Sequence, residues 1–444
     1  MMKQILLFFF LCLTFLAYSQ NGFQFQGKAT KTVVPFQLIN NLVFVPIKVN
    51  GIELNFLLDT GVAETILFSL EDKKEFRFLN TEKITLRGLG SQKAVEGLKS
   101  TNNTLVFGNL INKSHLLYIV LDPEFNFSSH VGIPVNGIIG YQFFRNNLIE
   151  IDYQNKQIIV YKDNKENRAK VSKKATVISI VIEKSKPYIN GNVSISSTLI
   201  PVKLLIDIGN SDAVWLFKNN RNDFQIPSKN FDDFLGRGFS GDIEGKKARI
   251  ARFELGSFQF DGPIAAFPDS ISTKNVSMVQ DRMGSVGGEI MRRFKVVFDY
   301  TNQKLFLRKN RYYKSAFSYN KSGIEIEHNG LEWVQETVKM ETVPSNFGYN
   351  KGAGGVAVYP NDFKYKFQLK PIYQIAHVRK NSAAAKSGLK SGDVIIKINK
   401  NNPFDMSLQD INTMLKSEYS KWISLEVERN NVPLKFQFQL DDIL

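Results

Sequence analysis

The strongest constraint on the fold is that one stretch of the sequence occurs twice. An apolar run leads into Asp59-Thr60-Gly61, and a similar run leads into Asp207-Ile208-Gly209, 148 residues later. At the same spacing three further glycines coincide: Gly88 with Gly236, Gly90 with Gly238, and Gly97 with Gly245. Because glycine makes up about 7% of an average sequence, three coincidences in one register are not expected by chance. The chain therefore contains one domain twice, and we call the copies the first and second repeat.

The correspondence continues past the glycines at a spacing of 147. Ile138-Ile139-Gly140 matches Ser285-Val286-Gly287, and Asp152-Tyr153 matches Asp299-Tyr300. Short apolar or alternating runs, separated by Asn, Gly and charged residues, predict strands through both repeats. In the first repeat, Val43–Val49 and Glu53–Leu58 flank the turn Asn50-Gly51 and predict a hairpin that ends at Asp59. We therefore expect a mainly β protein.

Two aspartates at equivalent turns of a duplicated domain can be brought together by a pseudo-two-fold axis. Neighbouring carboxyl groups cannot both ionise easily, so such a pair holds one proton over a wide pH range. The ionised member can then act as a general base on water, while the protonated member polarises a carbonyl group. This chemistry hydrolyses peptide bonds without a metal or a cofactor.

In these features the sequence resembles the retropepsin-like aspartic proteases of the pepsin and retropepsin type, with both lobes fused in one polypeptide over roughly residues 25–310. The resemblance implies two acid-protease β lobes in tandem, with Asp59 and Asp207 as the catalytic pair of an aspartic-type endopeptidase. It implies support of the catalytic loops by Thr60, Gly61, Ile208, Gly209, Ile138, Ile139, Gly140 and Gly287. It also implies substrate-binding flaps that contain Gly88, Leu89, Gly90 and Gly97 in one lobe and Gly236, Gly238 and Gly245 in the other.

One position departs from the pattern of that family. Ile208 stands where the family has Thr or Ser, whose hydroxyl bonds across to the opposite catalytic loop. Losing one neutral buried hydrogen bond costs about 0.5–1.5 kcal/mol, so we expect a looser pair rather than an abolished one. Two alternatives stay open: a catalytically impaired two-lobed peptide-binding protein, and a homodimeric protease that uses only the first-lobe aspartate.

The C-terminal segment has a different pattern, in which Ser382-Ala383-Ala384 begins a short helix that ends at Gly388, and Gly392-Asp393 leads into the strand Val394–Ile398. This pattern resembles a small α/β bacterial PDZ domain over about residues 360–444. The resemblance implies a site for a peptide C-terminus, and with it a role in docking substrate or a regulator. The alternative is a small α/β domain that only packs on the protease.

The N-terminus predicts export. Lys3, the apolar run Ile5–Leu16 and the small residues before Gln20 fit a bacterial signal peptide cleaved after Ser19. We expect a secreted or periplasmic protein with no transmembrane segment after cleavage. The single cysteine, Cys12, would leave with the signal, so the mature chain would have no disulfide.

Other functions have little support in the sequence. The net charge of +15 is spread along the chain and does not interleave with aromatics as in a nucleic-acid groove. The four histidines are scattered without metal-ligand spacing. We therefore expect no nucleic acid, metal or cofactor. The predicted domains are a signal peptide (1–19), lobe 1 (20–161), a linker (162–174), lobe 2 (175–310) and a PDZ domain (311–444, core about 360–444).

Overall fold

The computed structural model describes residues 22–68, 78–86, 95–121, 127–196, 198–217, 225–238, 241–273, 278–339, 363–417 and 420–444. These residues divide into two units. The first unit reaches Lys321 and includes Asp441–Leu444, and the second spans Ser322–Leu440. The chain is mainly β, as the sequence predicts.

The strands of the first repeat are rich in apolar residues; exposed and buried side chains alternate in the strand Lys31–Pro35, whereas every residue of Asn147–Asp152 is buried. These strands are β1 (Gln24–Phe25), β2 (Lys31–Pro35), β3 (Gln37–Ile39), β4 (Leu42–Val49), β5 (Ile52–Leu58), β6 (Thr65–Leu67), β7 (Thr81–Leu86), β8 (Val95–Phe107), β9 (Leu110–Val120), β10 (Gly137–Ile139), β11 (Asn147–Asp152) and β12 (Gln157–Lys162). Asn50 and Gly51 both have positive φ, which gives the predicted tight turn between β4 and β5.

The second repeat has a corresponding series of strands. They are β13 (Thr176–Ser179), β14 (Val181–Glu183), β15 (Lys186–Ser194), β16 (Leu199–Ile206), β17 (Val214–Leu216), β18 (Asn230–Gly238), β19 (Gly241–Arg249), β20 (Arg252–Leu255), β21 (Phe258–Asp261), β22 (Ile264–Pro268), β23 (Arg282–Val286), β24 (Phe294–Asp299) and β25 (Lys304–Lys309).

Each repeat forms a sheet with the same internal order. In the first sheet β4, β5, β10, β6 and β9 are consecutive neighbours, and in the second sheet β15, β16, β23, β17 and β22 are. The directions also agree, since β10 runs parallel to β5 and antiparallel to β6, while β23 runs parallel to β16 and antiparallel to β17. The sequence repeat is therefore a repeat of topology.

A third sheet, the central sheet, takes strands from both repeats in the order β13-β25-β24-β11-β12-β2. Its middle pair is β11 with β24, which aligns Ile149 with Phe298 and Asp152 with Lys295. The side chain of Lys295 also lies 2.5 Å from Asp152 and 3.2 Å from Glu150. One hydrophobic cluster extends through strands of both repeats, including Phe144, Ile149, Val296 and Phe298. The central sheet therefore holds the two repeats in one unit.

Short helices follow several of the strands. Their bounds are α1 (Phe127–Val131), α2 (Tyr141–Phe144), α3 (Lys165–Ser172), α4 (Ser270–Thr273), α5 (Gly288–Met291), α6 (Ala383–Ser387) and α7 (Leu408–Leu415). Helix α3 lies inside the segment predicted as a linker. Asn164 caps it by accepting from the Asn167 amide at 2.8 Å, and Val171 packs into an apolar cluster with Leu148.

The second unit is a sheet in the order β26 (Ile324–Lys339), β27 (Phe363–Val378), β28 (Val394–Ile398), β29 (Trp422–Arg429) and β30 (Val432–Gln439), with helices α6 and α7. Gly388 ends α6 in the left-handed conformation, as expected from the sequence, and Ser407 and Asp410 form a capping box at α7. Leu408, Ile411 and Leu415 of α7 lie in its core. Residues 311–321, placed with the PDZ domain from the sequence, belong to the first unit.

Within the described ranges, no helix has the length and apolar character needed to cross a membrane.

Candidate active site

Asp59 and Asp207, the two aspartates of the repeated motif, stand at equivalent strand ends. Strand β5 ends at Leu58, and the Asp59 amide donates to Ile139 O of β10 at 3.0 Å. Strand β16 ends at Ile206, and the Asp207 amide donates to Val286 O of β23 at 2.9 Å. Each aspartate is thus fixed by the strand that runs parallel to its own.

The fold brings the two carboxyl groups into direct contact, because a hydrogen bond joins Asp59 and Asp207. The glycine after each aspartate makes room for the opposite carboxyl group. A Cβ atom at Gly61 would lie 2.9 Å from Oδ1 of Asp207, and one at Gly209 would overlap the Asp59 carboxyl group. The Gly61 amide also donates to Asp59 Oδ1 at 2.7 Å. Only glycine at these two positions allows the pair to form.

Both aspartates keep some solvent exposure, yet their carboxyl groups lie deep enough for burial to dominate their protonation. Burial raises the pKa of Asp59 well above the usual carboxyl range, and the charge of Asp207 raises it further. Burial also raises the pKa of Asp207, whereas the positive charge of Arg282 lowers it. The pair therefore holds one proton, and these differences favour Asp59 as its carrier.

A single hydroxyl links the two catalytic loops predicted from the sequence. Thr60 is 1% exposed, and its Oγ1 donates to Ile206 O at 2.7 Å and accepts from the Ile208 amide at 3.1 Å. The Ile208 side chain is fully buried in the large apolar cluster and has no hydroxyl to return these bonds. The cross-link is therefore one-sided: Thr60 supplies it, and Ile208 contributes its backbone amide and apolar packing.

Gly140 and Gly287 lie behind the two loops, as expected from their matching positions. A Cβ at Gly140 would overlap Val62 O, and one at Gly287 would overlap Asp212 O. Ile138 and Ile139, in β10 beside β5, are both buried. The amide of Tyr141 donates to Val62 O at 3.0 Å, which ties the first loop to helix α2.

The predicted flaps are described in part. Gly88, Leu89 and Gly90 lie outside the described residues, and Gly97 is within strand β8. In the second repeat, β18 and β19 form a hairpin that contains Gly236, Gly238 and Gly245. Gly236 has a φ of +142° and open space around it, while a Cβ at Gly245 would overlap Phe267 O. In the second repeat, the glycine-rich stretch thus lies mostly in paired strands rather than in a loop.

Three polar residues near the pair were missed in the sequence analysis. Arg282 and Lys186 both act electrostatically on Asp207, and Tyr188 interacts with the charges of Asp207 and Arg282. At a spacing of 147, Arg282 corresponds to Val135. A basic residue in one repeat at the position of an apolar residue in the other could have identified Arg282 from the sequence.

Among the residues that the structure describes, no group of three or more His, Cys, Asp or Glu side chains is placed to hold a metal ion. His115 is buried and bonds to Thr65 Oγ1 at 2.7 Å and to Asn112 Nδ2 at 2.7 Å. Burial lowers the pKa of His115 to about 4, so it is neutral at physiological pH.

Comparison with known proteins identifies two domains. Residues 45–143, which include Asp59 but not Asp207, match a family model described as aspartyl protease. Residues 374–429 match the family model of the PDZ domain. The chain carries an aspartyl protease domain and a PDZ domain. These matches support a hydrolase of the protease class with a PDZ module.

One solved structure that the comparison matches to this chain is the aspartic proteinase from Irpex lacteus. It shares 13% sequence identity with this chain, and the TM-score is 0.42. The alignment covers 64% of this chain and 99% of the proteinase. No curated protein matches the sequence.

Proposed function

We propose that this protein is an aspartic endopeptidase that hydrolyses peptide bonds of protein or peptide substrates by means of a water molecule held between Asp59 and Asp207. The hydrogen bond between these two buried carboxyl groups carries the proposal. A buried acid pair that shares one proton is costly for stability, because burial and repulsion both oppose ionisation. Such a pair is typical of acid–base catalysis.

In the proposed reaction, ionised Asp207 takes a proton from the water as its oxygen attacks the substrate carbonyl carbon. Protonated Asp59 donates its proton to the carbonyl oxygen, which gives a neutral tetrahedral intermediate. As the intermediate collapses, ionised Asp59 takes the proton of one hydroxyl group and the carbonyl group re-forms. The carbon–nitrogen bond breaks, a proton moves from Asp207 to the leaving nitrogen, and the starting protonation of the pair is restored. Thr60 and the two glycines hold the loops in place during these transfers.

Both acids of the pair come from one polypeptide. The proposed centre therefore needs no second copy of the chain, which argues against the homodimeric alternative. Thr60 retains its bonds to both Ile206 and Ile208, so the hydroxyl missing at Ile208 leaves one cross-link in place. This favours an active centre over an impaired peptide-binding protein.

The test is cleavage of an unfolded protein substrate between pH 3 and pH 8. We expect the wild-type protein to cleave it, and we expect Asp59→Asn and Asp207→Asn each to lose nearly all activity. A statine-type inhibitor should block the wild type. The matched control is Asp261→Asn, since the Asp261 carboxylate is exposed and pairs with Arg252 at 2.9 Å.

Three outcomes would contradict the proposal in different ways. No cleavage by correctly folded wild type at any pH would refute the enzyme and favour the peptide-binding alternative. Full activity of Asp207→Asn would show that the second repeat is a scaffold. Equal loss in Asp261→Asn would show that the assay reports stability rather than catalysis.

We also propose that the PDZ domain docks the C-terminus of a substrate or regulator, as expected from its family. The support is the PDZ match over residues 374–429, within the sheet β26-β27-β28-β29-β30. Binding of C-terminal peptides as free acids and as amides tests this role. A preference for the free acid is expected, and equal affinities would contradict it.

We propose, finally, that the protein is exported by a bacterial cell to the periplasm or the medium. The support is the composition of residues 1–19. Mass spectrometry of the mature protein should give Gln20 as the first residue, and retention of Met1 would contradict export by cleavage.

A further inference from the structure

The two repeats differ most in chemistry on the sheet face beside the acid pair. Equivalent positions follow from the strand pairing, because Leu57 pairs with Phe44 and Ile138, while Leu205 pairs with Tyr188 and Ser285. Likewise Phe68 donates its amide to Asn136 O at 2.9 Å, and Phe217 donates its amide to Met283 O at 2.8 Å. The residues that precede these acceptors, Val135 and Arg282, are therefore equivalent.

In the first repeat this face is apolar. Phe44, Leu57, Phe68, Val135 and Ile138 belong to one buried cluster, against which Leu42 also packs. In the second repeat the equivalents of four of these residues are polar: Lys186 replaces Leu42, Tyr188 replaces Phe44, Arg282 replaces Val135 and Ser285 replaces Ile138. A duplicated domain has thus placed cations where its other copy has an apolar surface.

Arg282 is a buried cation whose guanidinium makes few hydrogen bonds to the described residues. The residue is 7% exposed, its guanidinium lies 5.0 Å from the Phe217 ring centroid, and its Nε donates to Gly284 O at 3.0 Å. Among the described residues its Nη atoms have no hydrogen-bond partner, and no carboxylate lies within 4.0 Å of them. A buried cation is costly unless it is paired. The Nη atoms therefore have donors that a bound carboxylate could use, in addition to the charge of Asp207 that already acts on Arg282.

Other polar groups surround the same point. Tyr188 is 2% exposed, and its hydroxyl has no hydrogen-bond partner in the part of the chain that the structure describes. The charge of Arg282 acts on both Tyr188 and Asp207, and the charge of Lys186 acts on both aspartates. Arg282 thus lies in strand β23, beside the strand β16 that leads to Asp207, and its guanidinium interacts electrostatically with Asp207.

We propose that Arg282, with Lys186 and Tyr188, forms a subsite for the carboxylate of a Glu or Asp side chain next to the cleaved bond. This inference rests on the proposed peptidase function and adds a substrate class to it. Arg282 is suited to the task because a guanidinium can donate two parallel hydrogen bonds to one carboxylate.

The test measures binding of hexapeptides in which a reduced, uncleavable amide replaces the central peptide bond. Glu, Gln or Lys is placed at either position flanking that bond, all other residues being neutral and both ends blocked. For wild type we expect Glu to bind roughly ten- to a hundredfold more tightly than Gln at one of the two positions, and Lys more weakly than Gln. This comparison uses the wild-type protein alone, so it does not depend on the folding of a variant.

Two variants then assign the effect. Arg282→Met should bind the Glu and Gln peptides about equally. Arg252→Met is the matched control, because Arg252 is an exposed arginine of the same repeat that pairs with Asp261 at 2.9 Å, and it should keep the wild-type preference. Equal loss of preference in both variants would show an effect of net charge and overturn the subsite.

Further outcomes separate the alternatives. Equal wild-type affinity for Glu and Gln peptides at both positions would overturn the proposal. A preference that appears only with an unblocked C-terminus would assign the carboxylate to a chain end and overturn the side-chain subsite. If the reduced-amide peptides show the Arg282-dependent preference while the same sequence with a normal amide is never cleaved, the peptidase proposal fails and the subsite stands.

Discussion

The hydroxyl of Thr60 is the structural link that most directly tests how the acid pair is held. Replacing Thr60 by Val keeps the shape of the side chain and removes its bonds to Ile206 O (2.7 Å) and from the Ile208 amide (3.1 Å). Each bond contributes about 0.5–1.5 kcal/mol, and a buried amide left without a partner costs about 1–3 kcal/mol. The bond to Ile206 O and the unpaired Ile208 amide together lead us to expect that Thr60→Val lowers the free energy of unfolding by about 1.5–4.5 kcal/mol.

The matched control is Ile208→Val in the opposite loop. Ile208 is fully buried, and removing one methylene from a core costs about 0.5–1.5 kcal/mol without changing any hydrogen bond. Thr60→Val should therefore be clearly the more destabilising change. It should also reduce peptidase activity more than Ile208→Val, because the Thr60 hydroxyl bonds to Ile206 and Ile208 of the opposite loop, whereas Ile208→Val removes no hydrogen bond.

Urea unfolding followed by tryptophan fluorescence measures this difference. Trp215 is 6% exposed and lies in the first unit, whereas Trp333 and Trp422 are 69% and 63% exposed. The fluorescence change therefore reports mainly on the unit that contains the acid pair. A midpoint shift at constant slope gives the free energy difference. If Thr60→Val costs no more than Ile208→Val, the cross-link is not what stabilises the loops.

Three further changes test other parts of the structure. Asp59→Asn should make the protein more stable than wild type at pH 7, because the raised pKa of Asp59 makes its ionised form unfavourable in the folded state. This gain in stability should shrink as the pH falls towards 4. Thermal unfolding of both proteins across this pH range measures the gain, and a gain that does not change with pH would contradict the reasoning. Gly140→Ala should cost about 2–3 kcal/mol or more, since its Cβ would overlap Val62 O, and an unchanged unfolding midpoint would contradict this close approach. Arg429→Met should destabilise the second unit by about 2–3 kcal/mol, because Asp393, 1% exposed, would lose the hydrogen bonds of 2.6 and 2.7 Å that the Arg429 guanidinium donates to its carboxylate. Amide hydrogen exchange should become faster in β28 and β29 and stay unchanged in the first unit.

The features that the sequence predicted correctly are those set by spacing and by backbone geometry. A repeat of 148 residues required two similar sheets, and an aspartate at the end of each parallel strand had to lie near the junction between them. Gly61, Gly140, Gly209 and Gly287 could be singled out because no other residue fits such close approaches. The turn at Asn50-Gly51 and the caps of α6 and α7 were predictable for the same local reasons.

What could not be predicted depends on contacts between distant residues. Helix α3 has few apolar residues, and only Val171 docks it on the cluster that contains Leu148, so its periodicity was too weak to detect. Strands β26 and β27 pair along most of their length through residues of mixed polarity, with register shifts near His328, which hides the alternation of a strand. The burial of Arg282 was also unpredictable, since an isolated arginine is usually on the surface.

The comparison of the two repeats explains how one domain can supply two different halves of a site. Positions that hold the backbone near the acids are the same in both copies, because a Cβ at Gly61, Gly140, Gly209 or Gly287 would overlap or crowd its neighbours. Side chains that face outward from that frame are free to differ, and they do so at Val135 and Arg282. The difference between Thr60 and Ile208 has a similar explanation. The Thr60 hydroxyl already bonds to Ile206 and Ile208 of the opposite loop, so a second hydroxyl at position 208 is not needed to join the loops. The combination of two retained carboxyl groups with different side chains at equivalent buried positions fits the proposed peptidase, which would bind different residues on the two sides of one bond.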